Sequence, residues 1–490
     1  MSEEINYNLT KEELATAQFG DAPIHDSSVN LKRDFHTLPE LESLVGETLW
    51  VRGRCQRVRA RGKQAFMVLR QKMDTIQVCA FASETLPKEL VVYMGKIPFE
   101  SIVDIECEVA QTRSPITSCT IQNVELKVKR ILTISRSQLP PFSVEDASRP
   151  EDDEGDFIRV SQPTRLDNRY IDLRVPSNQA IMRVSHWVCK LFRDYLSQNG
   201  FTEIQTPKIQ AGASEGGSEV FKFDYFGTPA CLAQSPQIHK QLAIVADMGR
   251  VFEIGPVFRA ENSNTNRHLC EFVGLDLEME IMDHYHEALR VLAGLFIHIF
   301  KGVNEHCQKE MEVVKAQFPF EDLKFPEDPA DVLVLTFPEA VAMLLEVGCE
   351  QGLYDDLSSE NEAKLGQLVL EKYNTDFYIL DKYPMAVRPF YTMPDPENPL
   401  YSNSYDIFIR GQEVTSGAQR INDYALLAEK CEEKGVPIET LGAYAEAFKY
   451  GAPQHAGAGI GLARVVSLIL NIKNVKKTCM FPRDPKRLTP

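Results

Sequence analysis

The sequence predicts an α+β protein that begins with an all-β domain. Between Thr48 and Ile134, five short strand-like runs are separated by turn residues, which is typical of a small Greek-key β-barrel. An acidic stretch with few apolar residues follows at about 143–163. Beyond it, a long amphipathic helix precedes β-hairpins and further helices. These observations predict a small β-domain, a linker and a larger domain of strands and helices.

Composition argues against several classes of protein. The chain of 490 residues is 43% hydrophobic and 25% charged, which suits a globular protein of two to four domains. Its 11 cysteines are scattered singly, which argues against structural zinc and a disulfide framework. The sequence shows no targeting segment and no apolar run of membrane-spanning length. We therefore expect a cytoplasmic protein without a membrane partner.

The net charge of -17 argues at first against a nucleic-acid partner, but the charge is unevenly distributed. Basic residues recur along the first predicted strand at Arg52, Arg54, Arg57, Arg59, Arg61 and Lys63. At two-residue spacing, successive cations share one face of a strand. The row would track a phosphate backbone on an oligonucleotide-binding (OB) barrel, with Phe66 as a platform for a base. The alternative for the arginine row is a solvated strand edge that prevents aggregation. The alternative for Phe66 is an ordinary core aromatic.

The predicted domain boundaries follow these changes of composition. Residues 1–45 lack periodicity and are expected to form a flexible leader, 46–135 the OB barrel and 136–175 a hinge. Residues 176–490 form the larger domain, with a helical insert at about 285–372 in which we find no chemical motif. After this insert, strands are predicted at Phe377–Leu380 and Met385–Tyr391.

The larger domain opens with a helix near Ser177–Tyr195 and a strand at Phe201–Thr206. Pro207 ends the strand, because proline cannot donate to a β-ladder. The apolar strip of the helix suits either core packing or a subunit interface. The loop Ser214–Ser218 follows, and its two adjacent glycines permit hinge-like changes of the backbone.

The stretch Arg250–Phe272 carries more charge than a half-buried strand pair usually holds. Alternating apolar residues flank a polar tip at Asn262–Asn266, which is typical of a β-hairpin with a solvent-facing loop. The charged residues on or beside it are Arg250, Arg259, Glu261, Arg267 and Glu271. They indicate either an ion-paired hairpin or a site for polyphosphate and nucleotide, because an arginine fork binds phosphate oxygens and stacks on bases.

A second predicted hairpin, Ser404–Arg410 and Gln412–Ala418, brings two carboxylates together. Asp406 and Glu413 lie on neighbouring strands, with Ser416 close by. These hard oxygens suit Mg²⁺ held on a phosphate. Solvated surface carboxylates are the alternative.

The glycine run Gly457–Gly461 leads into an apolar helix with Arg464 in its first turn. Glycines let the backbone approach a ligand closely, and an arginine one turn into the helix can point back at that ligand. The run is not a Rossmann fingerprint, because the segment before it is not a strand that opens a βαβ unit.

Together these stretches resemble the three signature motifs of class II aminoacyl-tRNA synthetases. Motif 1 is the helix, strand and Pro207, motif 2 is Phe258–Glu261 with its loop and Arg267–Leu269, and motif 3 is the glycine run that ends at Arg464. From about residue 45 onward, longer stretches resemble the eukaryotic cytosolic aspartyl-tRNA synthetases: Ala213–Ser218, Leu232–Gln237, Gly255–Thr265, Ser416–Ile421 and Phe481–Arg487.

This resemblance implies a six- or seven-stranded antiparallel β-sheet flanked by helices and an anticodon-binding OB barrel. It also implies a homodimer built through motif 1, with Pro207 near the two-fold axis. The implied reaction joins L-aspartate and ATP into aspartyl-adenylate, with Mg²⁺ as cofactor, and then passes aspartate to the 3′ end of tRNA(Asp) for protein synthesis.

The resemblance also implies roles for individual residues around ATP. Arg259, Glu413 and Arg464 would be the catalytic residues. Arg259 would clamp the α-phosphate, and Phe272 and Arg464 would sandwich adenine. The remaining ATP-binding residues would be Glu261 at the adenine amino group, Arg267 and His268 at the outer phosphates, and Glu413, Leu269 and Gly461. Asp406 and Glu413 would hold magnesium, with Ser416 assisting.

For aspartate, the implied binding residues are Ser214, Glu215, Gln237, Lys240, Asp276, Ser416 and Arg420. Lys240 and Arg420 would pair with the side-chain carboxylate, while Asp276 and Glu215 would meet the ammonium group or close the loop above it. Two cations suit a substrate with an extra carboxylate, whereas asparagine would leave one buried cation unpaired.

For tRNA, Phe66 would stack an anticodon base, Gln77 and Glu125 would read base edges, and the tip at Asn262–Asn266 would contact the acceptor end. One departure from the family pattern is motif 3, where Ala458 and Ala463 stand in place of glycine and glutamate. The nearest alternative is an asparaginyl-tRNA synthetase of the same fold. An alternative of another class is a catalytically silent RNA-binding protein on a synthetase scaffold, which predicts damaged motif positions.

Overall fold

The computed structural model describes residues 7–25, 27–150, 155–211 and 220–489. The chain forms two compact units, Met1–Gln179 and Ala180–Pro490, and each is described by itself.

The first unit is built around a closed β-barrel. Its elements in chain order are β1 (Phe19–Asp21), β2 (Phe35–His36), β3 (Thr48–Arg61), β4 (Gln64–Gln71), β5 (Asp74–Phe81), α1 (Lys88–Gly95), β6 (Ile102–Gln111), β7 (Val124–Ser135), α2 (Val144–Ala147), α3 (Gln162–Asp167) and α4 (Arg169–Asp172). Strand β3 pairs with β4 and β6, and β7 joins β5 to β6, so that β3 to β7 close on themselves. The predicted OB-like barrel is therefore confirmed.

The described part of residues 7–45 is not the flexible leader that we predicted. Strand β1 pairs with β7, and β2 pairs with β3. Leu38 and Leu41 are fully buried in the core of the barrel. Strands of two or three residues are too short to produce a periodic pattern, so the sequence carries no signal for them.

The predicted hinge at 136–175 also packs more tightly than its acidic composition indicated. It contributes a small apolar cluster of Phe142, Val144, Ala147, Ile171 and Val175. The most acidic part, 151–154, lies outside the described residues. Apolar residues on both sides of the acidic run therefore give this segment a core of its own.

The second unit contains a mainly antiparallel sheet flanked by helices, as predicted. Its elements in chain order are α5 (Pro176–Gln198), which begins at the end of the first unit, β8 (Thr202–Glu203), β9 (Ile209–Gln210), β10 (Lys222–Tyr225), β11 (Thr228–Leu232), α6 (Gln237–Val245), β12 (Arg250–Phe258), β13 (Glu271–Glu280), α7 (His286–His306), α8 (Gln308–Gln317), β14 (Leu333–Thr336), α9 (Phe337–Glu346), α10 (Ser359–Tyr373), β15 (Phe377–Asp381), β16 (Ser404–Ile409), β17 (Gln412–Gln419), α11 (Tyr424–Glu433), α12 (Ala443–Ala447), β18 (His455–Gly461) and α13 (Leu462–Ile469).

The main sheet has eight strands in the described residues, in the order β14-β15-β16-β17-β18-β13-β12-β8. Its inner pairs are antiparallel, and the outer pairs β14–β15 and β12–β8 are parallel. This sheet is larger than the six or seven strands that we expected, because the predicted helical insert is not separate from it. Strand β14 lies inside that insert and has only four residues, too few to stand out from the helices around it.

Helix α5 buries much of its apolar strip within the second unit. Val184, Val188 and Phe192 are fully buried. A Cβ on Gly302 of α7 would collide with Leu191, so the two helices approach closely. In the part of the chain that the structure describes, none of the helices is long and apolar enough to cross a membrane.

One local prediction was wrong. The segment Met385–Tyr391, predicted as a strand, contains the 3-10 helix Met385–Val387, since the prolines on either side of it cannot donate to a ladder. The glycine run forms the strand β18 in the middle of the sheet. A Cβ on Gly457 would collide with the carboxylate of Glu278 and the carbonyl of Leu277, so no larger side chain fits there.

A buried ion pair stabilises the first unit. The carboxylate of Glu100 accepts hydrogen bonds from Arg70 at 2.7 Å and from Arg174 at 3.0 Å. Burial by itself would raise the pKa of Glu100, but the two arginines hold this pKa below its ordinary value.

We expect Glu100→Gln to lower the free energy of unfolding of the first unit by about 3 kcal/mol, because Arg70 would stay buried without its counter-charge. The matched control is Glu106→Gln, which removes a partly exposed ion pair of 3.6 Å and should change the same free energy by less than about 1 kcal/mol. Urea unfolding, followed by the fluorescence of Trp50 in a chain that carries Trp187→Phe, measures both. A loss no larger than that of the control would contradict the expectation.

Candidate active site

The segments that the sequence analysis singled out lie side by side in one sheet. The predicted hairpin at Arg250–Phe272 forms as β12 and β13 in antiparallel register. Strand β13 pairs with β18, which carries the glycine run, and β18 pairs with β17 of the second predicted hairpin. Residues far apart in the sequence therefore meet on neighbouring strands.

A cavity of about 380 Å³ lies against these strands. The predicted site residues that line it are Gln237, Arg259, Glu261, Arg267, His268, Leu269, Phe272, Asp276, Glu413, Ser416, Arg420, Gly461 and Arg464. Lys240 and Asp406 are buried and do not line it, but each contacts a residue that does. Ser214 and Glu215 lie outside the described residues. Pro207 is exposed beyond β8, away from the lining.

The contacts among Arg259, Glu261, His268 and Phe272 are loose. The guanidinium of Arg259 lies over the ring of Phe272, 5.5 Å from its centroid. Glu261 lies 4.0 Å from Arg259 and 3.8 Å from His268. Because these side chains are partly exposed, such ion pairs contribute little free energy. The four residues can therefore reorient around a ligand.

Two other arginines of the cavity are held more firmly. Arg267 donates to Ser359 at 2.7 Å and to Glu362 at 3.1 Å, both on α10. Burial raises the pKa of Glu362, against the opposing effect of Arg267. Arg464 donates to the carbonyl oxygen of Glu413 at 3.0 Å. Arg464 is thus oriented by a backbone acceptor, although alanine occupies the position where the family pattern has glutamate.

A cluster of four buried charges lies under one end of the cavity. Lys240 contacts Asp276 at 3.1 Å and Glu278 at 3.3 Å. Its ammonium also donates to the carbonyl oxygens of Leu277 and Ala458 at 3.3 and 3.2 Å. All N–H donors of the ammonium therefore have partners within the cluster, and none of them points into the cavity unpaired.

Arg420 forms the second cation of the cluster. Its Nε and Nη2 donate to the two carboxylate oxygens of Glu278 at 2.9 and 3.2 Å. Burial alone would raise the pKa of Glu278, but Arg420 and Lys240 hold it below its ordinary value. Burial raises the pKa of Asp276, whose ion-pair partner among the described residues is Lys240 at 3.1 Å. Glu278 is therefore the firmly charged member of the two acids.

Asp406 is not an open metal ligand, because its carboxylate already accepts a hydrogen bond from Arg388. The guanidinium of Arg388 donates to Asp406, Ser404 and Ser416, each at 2.8 Å. Burial raises the pKa of Asp406 to about 7, with Arg388 opposing this shift and Glu413 adding to it. Burial also raises the pKa of Glu413, against Arg464.

Sequence reasoning missed Glu278, Arg388 and Glu362 as members of the site. Glu278 had a signal, since its two-residue spacing from Asp276 puts both carboxylates on one face of an apolar strand. Arg388 lies in the segment that we misread as a strand. Glu362 lies in the predicted insert, where no pattern set it apart from the other exposed acids of a helix.

On the first unit, the predicted tRNA-binding residues share the outer surface of the barrel. Gln77 donates to Glu125 at 2.8 Å. Phe66 is half-buried and contacts the exposed Phe81 edge-on, with ring centroids 5.7 Å apart. Phe66 is thus only partly enclosed, and Gln77 and Glu125 form one polar pair.

The arginine row on β3 is only partly available for a ligand. A β-bulge between Cys55 and Arg57 keeps the residues on both sides of it facing outward. Arg52 pairs with Asp104, Arg54 donates to a carbonyl oxygen, and Arg57 pairs with Glu145. The exposed cations without such a partner in the described residues are Arg59, Arg61 and Lys63.

The fold and the cavity together define a class II synthetase. The family of class II tRNA synthetases for D, K and N matches residues 161–485, and the chain belongs to this family. The cytoplasmic aspartate–tRNA ligase of Homo sapiens is 53% identical over 448 residues, which cover 91% of this chain and 89% of the human protein.

Solved structures agree with this assignment. The aspartyl-tRNA synthetase of Entamoeba histolytica aligns with a TM-score of 0.89 and 44% identity, covering 96% of each chain. The asparaginyl-tRNA synthetase of Pyrococcus horikoshii aligns with a TM-score of 0.82 and 27% identity, covering 94% of this chain and 99% of that one. The family resemblance, the fold class, the enzyme class of aminoacyl-tRNA ligase and the cytoplasmic localisation are thus confirmed. Synthetases of this family use ATP.

The glycine run generates a prediction about the cavity. A Cβ on Gly461 would meet only the Cβ of Arg464, at 3.7 Å, so a larger side chain there occupies cavity space without a clash. We expect Gly461→Val to weaken ATP binding by about tenfold or more, because a filled pocket loses contacts worth about 1–3 kcal/mol. The midpoint of thermal unfolding should stay unchanged.

Gly457→Ala is the matched control, because its Cβ collides with Glu278 and the sheet backbone. It should lower the unfolding midpoint. Calorimetric titration with a non-hydrolysable ATP analogue and thermal unfolding of both variants measure these effects. Unchanged ATP affinity in Gly461→Val would exclude Gly461 from the nucleotide pocket.

Proposed function

We propose that this chain is an aspartate–tRNA ligase. It joins L-aspartate and ATP into aspartyl-adenylate and pyrophosphate, and then transfers aspartate to the 3′ end of tRNA(Asp). One observation carries the substrate assignment. Arg420 and Asp276 both line the cavity. The Nη1 of Arg420 and the Oδ2 of Asp276 have no hydrogen-bond partner in the described residues.

These two atoms suit the two ends of aspartate. The Nη1 of Arg420 belongs to a permanently charged guanidinium and can donate a hydrogen bond to the side-chain carboxylate of aspartate. The Oδ2 of Asp276 accepts from the ammonium group. Lys240 neutralises the acids of the cluster and can exchange one of its carbonyl partners for the substrate carboxylate. The amide of asparagine would meet Nη1 with a neutral oxygen and without the negative charge of the aspartate carboxylate, which makes it the poorer partner for a guanidinium.

The first step is attack of the α-carboxylate of aspartate on the α-phosphorus of ATP, with pyrophosphate as leaving group. Such a step needs positioning and charge neutralisation more than covalent help. Arg259 would neutralise the α-phosphate, and its loose contact with Phe272 leaves it free to move there. Phe272 and Arg464 would then enclose adenine, with Glu261 at its amino group. Arg267 and His268 would meet the outer phosphates.

Asp406, Glu413 and Ser416 are the residues that would hold Mg²⁺. Glu413 lines the cavity and fits this ion, because Mg²⁺ is usually bound by one or two carboxylates together with substrate phosphates and water. Asp406 and Ser416 would join it by exchanging their hydrogen bonds from Arg388 for the ion. When bound, Mg²⁺ neutralises phosphate oxygens. Arg388 keeps the carboxylate of Asp406 and the hydroxyl of Ser416 in place on neighbouring strands.

The first unit would bind the anticodon of the tRNA. Phe66 would stack a base, Gln77 and Glu125 would read base edges, and the exposed Arg59, Arg61 and Lys63 would contact phosphates. For the second unit we propose a homodimer, with the exposed Pro207 beyond β8 near the two-fold axis. The exposed tip at Asn262–Asn266 would meet the acceptor end of the tRNA.

Pyrophosphate exchange tests the proposed function. We expect the purified chain to catalyse exchange that depends on aspartate and not on asparagine, because the unpaired Nη1 of Arg420 favours a carboxylate over a neutral amide. Charging assays with purified tRNA(Asp) and tRNA(Asn) extend the test to the transfer step. Exchange with asparagine alone would reject this function in favour of asparaginyl-tRNA synthetase, and no exchange with either amino acid would favour a silent scaffold.

Arg259→Ala should reduce aspartate-dependent exchange by about 10²–10³-fold or more, the range for removal of one preorganised donor to transition-state charge. Binding of tRNA should be nearly unchanged. The matched control is Arg250→Ala at the start of β12, whose guanidinium donates to the carbonyl oxygen of Asn199 instead. Exchange at the rate of the control in Arg259→Ala would show that this arginine does not clamp the phosphate.

A further inference from the structure

A segment near the C-terminal end holds the motif 2 loop in place. We call residues 474–484 the strap. It runs from Asn474 through the 3-10 helix Val475–Thr478 to Asp484. The loop that it contacts connects β12 to β13 and carries Arg259, Glu261, Arg267 and His268, all of which line the cavity.

Lys476 is the central contact of the strap. Its ammonium donates to the Oδ1 of Asn264 at 2.5 Å and pairs with Asp484 at 2.7 Å. Lys476 and Asp484 are both buried. Burial alone would raise the pKa of Asp484, but Lys476 holds it below the ordinary value. A buried lysine thus reaches out of the strap to the tip of an otherwise exposed loop.

Three more hydrogen bonds fasten the loop to the strap. Asn474 donates to the side chain of Asn266 at 2.9 Å, and the backbone N–H of Val475 donates to the carbonyl of Asn266 at 3.0 Å. The N–H of Cys270 donates to the carbonyl of Arg483 at 2.9 Å. These contacts lie on both sides of Arg267 and His268, whose placement in the cavity therefore depends on the strap.

The strap also contacts the helix that carries Arg464. Thr478 donates to the carbonyl of Ala463 at 2.9 Å, one residue before Arg464. One segment thus joins the motif 2 loop to the start of α13, the two elements that present arginines to the nucleotide end of the cavity. The aspartate end, with Lys240 and Arg420, makes no such contact with the strap in the described residues.

We propose that Lys476 is a positioning residue for nucleotide binding, with Asp484 as its counter-ion. It fixes the motif 2 loop so that Arg267 and His268 face the phosphates of ATP. The ligand class, a nucleoside triphosphate, rests on the proposed function. The role of Lys476 would then appear in the handling of ATP and not in the handling of aspartate.

The test compares Lys476→Met with Lys473→Met in the full chain. Lys473 is exposed, lies three residues away and makes no ion pair or hydrogen bond in the described residues, so it controls for the lost charge. We expect Lys476→Met to raise the KM for ATP in pyrophosphate exchange by about tenfold, the effect of losing one charge-assisted hydrogen bond. The KM for aspartate should stay close to that of the control, and the midpoint of thermal unfolding should stay well above the assay temperature although Asp484 loses its counter-charge.

Two further variants separate positioning from general stability. Lys476→Arg keeps the ion pair and should restore most of the ATP affinity. Asn264→Ala should raise the KM for ATP, and combining it with Lys476→Met should add little, because both changes remove the same contact. Equal rises in the two KM values, a fall in the unfolding midpoint that accounts for the loss, or the same effect in Lys473→Met would overturn the proposal.

A direct binding measurement keeps this test independent of the proposed function. Calorimetric titration of each variant with a non-hydrolysable ATP analogue, without any amino acid, should give the same order of affinities as the KM values. If the wild-type chain showed no aspartate-dependent exchange, the proposed function would fail while this titration would still decide the role of Lys476. Equal affinity of Lys476→Met and wild type would reject that role.

Discussion

The site depends on the burial of two carboxylates on a single strand. Asp276 and Glu278 lie two residues apart on β13, so that both side chains point to the same face of the sheet. An isolated buried carboxylate is too costly to keep ionised, and two neighbouring ones repel each other. Lys240 and Arg420 remove this penalty. Because these cations come from α6 and from the end of β17, the cluster fixes where both elements lie relative to β13.

Because the two buried acids need buried partners, helix α6 turns polar rather than apolar side chains toward the interior. Helix α6 buries Gln237, Lys240 and Gln241, which follow one another at helical spacing. Gln241 donates to the Nε2 of His455, which is free to accept because burial lowers the pKa of this histidine and keeps it neutral. A helix with a polar inner face is unfavourable unless each group has a partner. The buried polar residues of α6 are therefore explained by their partners on β13 and β18.

The sequence predicted most of the fold because the signals for it are local. Alternation and turn residues predicted the five strands of the barrel and both hairpins of the sheet. The predictions failed for β1, β2 and β14, where strands of two to four residues carry no period. The strand formed by the glycine run was not predicted, because the reason that Gly457 has no larger side chain lies in its neighbours, which occupy the space that a Cβ would need.

The sequence predicted most residues of the candidate site, but not which of them pair with each other. The motif residues around Arg259 and Arg464 meet at one cavity, as the resemblance implied. Glu278 and Arg388 were missed, since their partners lie far away in the sequence. Glu278 and Arg420, for example, are 142 positions apart. No periodicity connects residues at such a distance, and only the order of strands in the sheet brings them together.

The two firmly held arginines of the nucleotide end differ in how much charge they retain. A carbonyl oxygen orients Arg464 without neutralising it, whereas the carboxylate of Glu362 both orients and neutralises Arg267. With alanine at position 463, no carboxylate from the helix itself compensates Arg464. Arg464 is therefore a preorganised charge that a ligand meets without rearrangement. Arg267 has to leave Glu362 before it can bind a phosphate, and the partial burial of Glu362 makes that separation costly.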